Sequence, residues 1–220
     1  MADEEPTPTR LVAIRHGESK STVGRFVGGP RSCTGLSELG VRQCRRLAER
    51  LAASGELRGA HLYASHYPRA IETAELIAPA LGDPPVVVED GFGEHDPGAD
   101  CDGLTFEEFL ERHGMPDWES DAYAVTFPGG ETIADLHHRV GQALARVTAR
   151  HVGETIVVCC HGGVINAILR QALRAPSTGD FELFTTNTSI TELVLVRPGR
   201  WRLLRYNDAG HLFGLDPSGR

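Results

Sequence analysis

Two histidines in the sequence each follow a short apolar segment and precede a glycine. His16 comes after Leu11-Val12-Ala13-Ile14-Arg15, and His161 follows Thr155-Ile156-Val157-Val158-Cys159-Cys160. Unbroken apolar runs of this length are typical of strands buried on both faces of a parallel sheet, and ligands bind beyond the carboxyl ends of such strands. A histidine before a glycine also occurs in ordinary turns. Because the unit occurs twice, we expect both imidazoles to belong to a functional site.

Two arginines are expected at the same edge of the sheet. Arg15 adjoins His16, and Arg69 follows a predicted strand over 61–65, with Pro68 well placed for the first turn of a helix. Helix N-termini attract anions, and guanidinium groups match phosphate oxygens in a bidentate way. A surface ion pair is the alternative for Arg69. Together with the two imidazoles, the arginines indicate a site for a tetrahedral dianion. The sequence contains no P-loop and no GxGxxG motif followed by an acidic residue, so a nucleotide cradle is not indicated.

Strands and helices are predicted to alternate along the chain, which favours an α/β sandwich with a largely parallel sheet. Residues 17–35 are expected to form a long irregular loop, and residues 1–9 a frayed polar tail. Residues 10–220 are expected to form a single domain, with a segment around 94–130 inserted so that it covers the site. The predicted strands are 10–15, 61–65, 86–88 and 155–160, with a hairpin of 190–196 and 201–206; the predicted helices are 36–53, 68–81, 105–113, 132–151 and 164–173.

Composition excludes several classes of partner. The chain has 220 residues and a formal net charge of −8, which argues against nucleic acid. It has no apolar run of membrane-spanning length and no signal-peptide core, so we expect a cytoplasmic protein without a membrane partner. Five cysteines without CxxC spacing argue against a disulfide framework and against a zinc ribbon.

Five segments, in this order along the chain, resemble the motifs of the histidine phosphatase superfamily, in its phosphoglycerate-mutase-like phosphatase branch. The resemblance implies a three-layer α/β/α sandwich with a mostly parallel mixed sheet, and it extends from about residue 10 to residue 212. The segments are Arg15-His16-Gly17-Glu18, Ser65 to Ala74 with Arg69, Pro128-Gly129-Gly130-Glu131-Thr132, His161-Gly162 and Asn187-Thr188-Ser189-Ile190-Thr191.

The resemblance also implies catalytic roles. His16 would be the nucleophile that accepts the phosphoryl group, Glu94 the general acid and base, and Arg15, Arg69 and His161 would hold the phosphate oxygens. The protonated nitrogen of His16 would donate to a backbone carbonyl.

Further residues are expected to bind substrate, namely Thr22, Gly28, His95 and Gly162. Thr22 stands where the family often has an asparagine, and Cys101-Asp102-Gly103 replaces the usual Trp-Glu-Gly. These departures leave phosphoryl transfer intact but make the substrate harder to infer.

The function expected from the sequence is a metal-independent phosphatase, without a cofactor, that hydrolyses a small phosphorylated metabolite and releases inorganic phosphate. A phosphoglycerate-type mutase and an inactive phospho-ligand-binding protein are the alternatives. Whether the chain forms a homodimer stays open.

Two features of the covering segment bear on the substrate. Trp118, Tyr123 and Phe127 are interpreted either as contacts to an organic leaving group or as packing onto the core. Asp96, Asp100 and Asp102 are interpreted as a solvated acidic turn near Glu94. A calcium or magnesium loop is the less favoured alternative, because the spacing lacks the known pattern. An acidic loop there would disfavour substrates with several negative charges.

Overall fold

A computed structural model describes residues 7–215 and contains one six-stranded sheet. The strands are Thr9–Arg15 (β1), His61–Ala64 (β2), Val86–Val88 (β3), Thr155–Cys160 (β4), Ile190–Arg197 (β5) and Arg200–Asp208 (β6). The α-helices are Lys20–Gly24 (α1), Glu38–Ser54 (α2), Pro68–Leu81 (α3), Gly98–Cys101 (α4), Phe106–His113 (α5), Ile133–Arg150 (α6) and Gly162–Leu173 (α7), and short 3-10 helices span Asp90–Phe92 and Gly210–Leu212. None of these helices is both long and apolar enough to cross a membrane.

The sheet is mixed, with strand order β3-β2-β4-β1-β5-β6. The first four strands in this order are parallel, whereas β5 is antiparallel to β1 and β6 is antiparallel to β5. The predicted hairpin is therefore present, and it forms one edge of a sheet whose other strands run in one direction. The carboxyl ends of β1, β2, β3 and β4 consequently meet at the same edge of the sheet.

Helices cover both faces of the sheet, which confirms the predicted three-layer sandwich. Successive strand residues point to opposite faces, so each buried strand supplies two apolar cores. One core lies between the sheet and helices α6 and α7 and includes Leu11, Ala13, Tyr63, Ile156, Val158 and Leu193. The other lies between the sheet and helices α2 and α3 and includes Val12, Ile14, Leu62, Ala64, Val157 and Ile190.

Side-chain caps fix the starts of three helices close to the predicted positions. Ser37 Oγ accepts a hydrogen bond from Gly40 N at the start of α2. Thr105 and Thr132 each form a reciprocal capping box, at the starts of α5 and α6. Such caps satisfy backbone N–H groups that have no partner within the helix.

The structure differs from the prediction in three places. Residues 17–35 contain α1, which is only five residues long and therefore too short to give a periodic pattern. Helix α7 begins at Gly162, because His161 is its N-cap. Strand β1 begins at Thr9, which is buried, although it was predicted as part of the tail. Residues 1–6 of that tail lie outside the described part of the chain.

The segment around 94–130 has a small apolar core of its own. Cys101, Phe109 and Phe127 are buried together, and Val27 of the 17–35 loop packs against them. Backbone hydrogen bonds from Val27 N to Leu104 O and from Gly103 N to Val27 O join the two segments. The expected covering segment is thereby joined to the 17–35 loop.

Candidate active site

Strand register brings the two histidines together. Arg15 is paired with Cys160 in the parallel β1–β4 ladder, so His16 and His161 both follow directly from paired positions. Backbone hydrogen bonds continue from His16 N to Cys160 O, at 2.9 Å, and from Ser65 N to Cys159 O, at 3.0 Å. The ring centroids of His16 and His161 are 5.0 Å apart. The predicted gathering of these two histidines at one edge of the sheet is confirmed.

Hydrogen bonds at both ring nitrogens define the state of His16. Its Nδ1 lies 2.6 Å from the carbonyl oxygen of Gly17, which can only accept a hydrogen bond, so Nδ1 carries the proton. Arg69 Nε donates to His16 Nε2 at 3.1 Å, so Nε2 presents a lone pair. His16 is thus the neutral Nδ1–H tautomer, and Nε2 is the ring nitrogen that carries the lone pair.

The peptide that orients His16 is tightly packed against α2. A Cβ atom on Gly17 would lie 2.7 Å from Gly40 O and 2.9 Å from Cys44 Sγ, so only glycine fits there. Gly17 N donates to Thr73 Oγ1 at 3.1 Å. Asn187 Nδ2 donates to the carbonyl oxygen of His16 at 2.8 Å. The backbone at His16 is therefore held from two sides.

Arg69 lies between the two histidines and is buried. Its Nε also donates to His161 Nδ1 at 3.3 Å, and its NH1 donates to the carbonyl oxygen of Gly28 at 3.1 Å. The guanidinium carbon lies 4.5 Å from the ring centroid of Tyr67. Because α3 begins at Pro68, Arg69 occupies the first turn of a helix, where backbone N–H groups favour anions.

His161 lies beneath this arrangement rather than on an open surface. It is 0% exposed, and its Nε2 donates to Ser65 Oγ at 2.7 Å while its Nδ1 accepts from Arg69. A direct hydrogen bond to a phosphate oxygen would require a proton on Nδ1. In this arrangement His161 contacts Arg69, and the oxygen-holding role expected from the sequence stays a prediction.

Burial and positive charge keep both imidazoles neutral. Burial first, and then the charges of Arg69 and Arg15, lower the pKa of His16 well below its usual value of 6.5, although the hydrogen bond to Gly17 raises it. Burial, followed by the charge of Arg69, likewise lowers the pKa of His161 well below 6.5. A neutral His16 at neutral pH is the form that can act as a nucleophile.

Arg15 contributes a second positive charge with a free donor. Its NH1 donates to the carbonyl oxygen of Thr185, whereas its Nε is buried and has no hydrogen-bond partner among the described residues. Burial lowers the pKa of Arg15, and the nearby charge of Glu94 partly offsets this. A buried N–H group without a partner is costly. An anion in the site would satisfy it.

Glu94 is held against the start of α7. Its Oε1 accepts from His95 N at 3.0 Å, and its Oε2 accepts from Gly163 N at 3.2 Å. A Cβ atom on Gly163 would lie only 2.3 Å from Glu94 Oε1, so the carboxylate could not keep this position if residue 163 had a side chain. Glu94 lines the same cavity as His16.

A cavity of about 510 Å³ opens above these residues. Arg15, His16, Arg69 and Glu94 line one end of it; we call these four residues, together with His161 beneath them, the phosphate cup. Cavities of this size are typical of small-molecule sites.

Three of the four residues predicted to bind substrate line the cavity, namely Thr22, Gly28 and His95. His95 Nε2 lies 2.6 Å from the carbonyl oxygen of Glu131, to which it donates, and its Nδ1 is buried without a partner among the described residues. Gly162 does not line the cavity. Its neighbour Gly163 lines the cavity instead. A Cβ atom on Gly162 would contact Thr185 and Arg15.

The acidic turn near Glu94 does not face the cavity. Asp102 accepts hydrogen bonds from the backbone N–H groups of Gly29, Arg31 and Ser32, so it fixes the 17–35 loop. Asp96 and Asp100 are exposed, and neither lines the cavity. The expectation that these aspartates disfavour substrates with several negative charges therefore loses its structural basis.

The aromatic residues of the covering segment have different positions. Trp118 and Phe127 line the cavity, with ring centroids 5.1 Å apart, and Trp118 also lies edge-on to His95. Tyr123 is 82% exposed and does not line the cavity. Phe127 is also buried in the small core of the segment, so it packs onto that core as well as lining the cavity.

Sequence reasoning missed an ion pair that holds the loop around Glu94. Arg139 NH1 donates to the carbonyl oxygens of Gly91 and Gly93, and its NH2 donates to that of Glu94 at 2.8 Å. The same guanidinium group binds both carboxylate oxygens of Glu131. Glu131 belongs to the Pro128–Thr132 motif, which the sequence analysis identified. Arg139 lies on a predicted helix outside any motif, so the sequence did not indicate a role for it.

One group of potential metal ligands occurs in residues 7–215, and it lies far from the phosphate cup. His61, His151 and Glu154 sit at the opposite end of the strands, near the start of β2 and β4. Glu154 Oε2 lies 2.8 Å from His61 Nε2 and 2.9 Å from His151 Nδ1, so the three groups already bind one another.

Comparisons with known proteins agree with this geometry. The family model described as the histidine phosphatase superfamily (branch 1) matches residues 11–209. Phosphoglycerate mutase-like protein 4 of Arabidopsis thaliana is 33% identical, with 95% of this chain and 89% of that protein covered. The metal-independent phosphoserine phosphatase of the same plant is 31% identical, with 94% and 85% covered.

A solved structure shows the same architecture. It is a mutant phosphoserine phosphatase from Entamoeba histolytica in complex with phosphoserine, and it superposes with a TM-score of 0.73 at 25% identity. The match covers 93% of this chain and 99% of that chain. The similarity therefore extends over nearly the whole chain.

Proposed function

The chain belongs to the histidine phosphatase superfamily and is a phosphoric monoester hydrolase, and we propose that it hydrolyses a small phosphorylated metabolite through a phosphohistidine on His16. The observation that carries this proposal is the state of His16. Its Nδ1–H is held by the Gly17 carbonyl, its Nε2 lone pair accepts a hydrogen bond from Arg69, and Arg15 lines the same cavity. An imidazole in this state is set to attack a bound phosphoryl group.

In the first step, His16 Nε2 attacks phosphorus and the ester P–O bond breaks. Arg15 and Arg69 stabilise the negative charge on the phosphoryl oxygens, and the unpartnered Nε of Arg15 gains an acceptor. The Glu94 carboxyl group gives its proton to the leaving alkoxide, so a neutral alcohol departs. His161 supports Arg69 from beneath.

In the second step, Glu94 acts as a base. A water molecule loses a proton to the Glu94 carboxylate and attacks phosphorus, and the P–N bond to His16 breaks. Inorganic phosphate leaves, and His16 returns to the neutral Nδ1–H tautomer with Glu94 protonated. Charge stabilisation in both steps is assigned to the guanidinium groups, so the proposed reaction needs no cofactor.

Replacing His16 by alanine tests the proposal. Removing the nucleophile should lower kcat for phosphomonoesters by at least about 10³-fold, while circular dichroism and thermal unfolding show an intact fold. His138→Ala is the matched control, because His138 is exposed on α6 and does not line the cavity. Hydrolysis by His16→Ala at the wild-type rate would rule out the proposed mechanism.

A phosphoglycerate-type mutase is the second candidate, since one relative carries a mutase-like name. A mutase must return the phosphoryl group from the histidine to an isomeric alcohol rather than to water. Release of inorganic phosphate without formation of an isomeric phosphate ester would exclude it. An inactive binding protein would bind phosphate but give neither product.

A further inference from the structure

The end of the cavity away from the phosphate cup is lined by a buried arginine that has no acidic partner. Arg170 is 7% exposed and lines the cavity. No carboxylate lies within ion-pair distance of it among the described residues. Buried charges in proteins are normally paired. An unpaired guanidinium group on the wall of a cavity is therefore expected to bind an anion in that cavity.

The hydrogen bonds of Arg170 fix its position but do not neutralise its charge. Its Nε donates to Asn166 Oδ1 at 2.8 Å, and its NH1 donates to the carbonyl oxygens of Pro176 and Thr178. Its NH2 donates to the carbonyl oxygen of Phe181. These acceptors are dipoles, so the full positive charge remains. A guanidinium group has five N–H donors, and these four bonds leave one N–H free.

On helix α7, Asn166 and Arg170 lie on the same face as Gly163, whose backbone N–H binds Glu94. Gly163, Asn166 and Arg170 are spaced by three and four residues, and all three line the cavity. Because Asn166 Oδ1 accepts from Arg170, the amide NH₂ of Asn166 is the end that remains for the cavity. The wall that α7 forms therefore extends from the phosphate cup towards the hydrogen-bond donors of Asn166 and Arg170.

The charges on the cavity wall support the same conclusion. Arg15, Arg69 and Arg170 are positive, and Glu94 is protonated and therefore neutral at the start of the proposed first step. A phosphate dianion matches Arg15 and Arg69, which leaves the charge of Arg170 without a counterpart. That charge also acts within the cavity, since burial first and then Arg170 lower the pKa of His137, which lines the cavity from the neighbouring helix α6.

We infer that the substrate is the phosphomonoester of a hydroxy acid, whose carboxylate is bound by Arg170 and Asn166 while its phosphate occupies the phosphate cup. This inference rests on the proposed phosphatase function and names its substrate class. Arg170 would select among phosphomonoesters because a charged hydrogen bond to a carboxylate is lost when the carboxylate is replaced by a neutral group.

Matched substrate pairs test the inference. 3-Phosphoglycerate and glycerol 3-phosphate differ only in a carboxylate against a hydroxymethyl group, and 6-phosphogluconate and glucitol 6-phosphate differ in the same way on a longer chain. We expect kcat/KM to favour the acid by about tenfold or more in at least one pair. Equal values, or preference for the neutral ester in both pairs, would overturn the inference.

Variants of Asn166 and Arg170 test whether these two residues cause the preference for acid substrates. Asn166→Asp keeps an acceptor for Arg170 Nε but adds a neutralising negative charge, so the acid preference should vanish. Arg170→Lys should retain part of the preference, and Arg170→Gln should lose it. Arg174→Asn is the matched control, because Arg174 ends the same helix, is exposed and does not line the cavity.

The outcomes separate the inference from the proposed function. An acid preference that survives Asn166→Asp and Arg170→Gln, or that falls equally in Arg174→Asn, would overturn the role of Arg170. Hydrolysis of acid and neutral esters at equal rates would overturn the substrate class and leave the phosphatase function standing. Failure to hydrolyse any phosphomonoester would overturn both.

Discussion

The tautomer of His16 is the residue-scale feature on which the chemistry depends. Its Nδ1–H and Nε2 partners, Gly17 O and Arg69 Nε, leave only one arrangement of the ring proton. The same logic places the proton of His161 on Nε2, towards Ser65. Two imidazoles 5.0 Å apart thus carry their protons on different atoms. This difference follows from the partners that the strand register supplies.

We predict that both rings stay neutral on acidification to well below pH 6.5, because burial and the charge of Arg69 lower both pKa values. Two-dimensional ¹H–¹⁵N spectra of the imidazole nitrogens, recorded from pH 8 to 5, should show His16 protonated on Nδ1 and His161 on Nε2 throughout. His138, which is exposed on α6 and does not line the cavity, serves as an internal reference from outside the site. An inflection near pH 6.5 in the nitrogen shifts of His16 would contradict the burial and the positive charge that we assign to its surroundings.

Gly163 tests whether the position of the Glu94 carboxylate matters. Gly163→Ala would place a Cβ 2.3 Å from Glu94 Oε1, so the carboxylate must move. A misplacement of this kind should lower kcat by about 100-fold. Gly162→Ala is the comparison, since its Cβ would make only ordinary contacts with Thr185 and Arg15, at 3.5 Å or more. Equal losses in the two variants would contradict the role given to Glu94.

At the scale of elements, helix α6 positions the loop that carries Glu94. Arg139 binds three backbone carbonyl oxygens of residues 91–94 and both carboxylate oxygens of Glu131. A planar fork is needed for this set of bonds, and lysine cannot supply it. Arg139 is therefore a positioning residue that acts through Glu94.

Arg139→Lys should lower kcat by about tenfold or more for alkyl phosphates, which need a proton donor for the leaving group, and by less for p-nitrophenyl phosphate, which does not. A purely structural role would lower both rates equally. Arg146→Lys is the control on the same helix, because its side chain is half-exposed and pairs with Glu89 at 2.8 Å. A loss for Arg146→Lys equal to that for Arg139→Lys would contradict the prediction.

Elements with a periodic pattern or a cap were predictable from the sequence. Ser37, Thr105 and Thr132 mark helix starts, and the apolar runs before His16 and His161 mark the two central strands. The five-residue α1 was not predictable, because one turn has no period. Arg139, Asn166 and Arg170 were also missed, since their partners are backbone carbonyl groups and a side-chain amide that come near only in the folded chain.

At the scale of the whole molecule, a network of ion pairs joins the hairpin edge of the sheet to helix α2. Glu192 on β5 is 4% exposed and pairs with Arg10 on β1 and Arg205 on β6. Arg205 also contacts Glu56, and Arg50 on α2 binds Asp208. Breaking one partner of a buried ion pair costs more than the pair itself contributes.

Glu192→Gln should lower the free energy of unfolding at pH 7 by about 2 kcal/mol. Burial raises the pKa of Glu192, but its bonds to Arg10 and Arg205 outweigh burial and lower the pKa below 4.5. The stability that this carboxylate contributes is therefore present above pH 4.5 and is lost as the pH falls through its folded-state pKa. Urea unfolding from pH 7 to 3 should show a weaker pH dependence in Glu192→Gln. An unchanged pH profile would contradict this assignment.

The central claim is that the phosphoryl group passes through His16. Its most direct test is rapid alkaline quenching of the enzyme during turnover of a ³²P-labelled phosphomonoester, followed by peptide mass spectrometry. The account predicts a base-stable, acid-labile phosphoryl group on His16 that forms and decays at rates compatible with kcat. Turnover without any such adduct, or a phosphoryl group on a different residue, would contradict it.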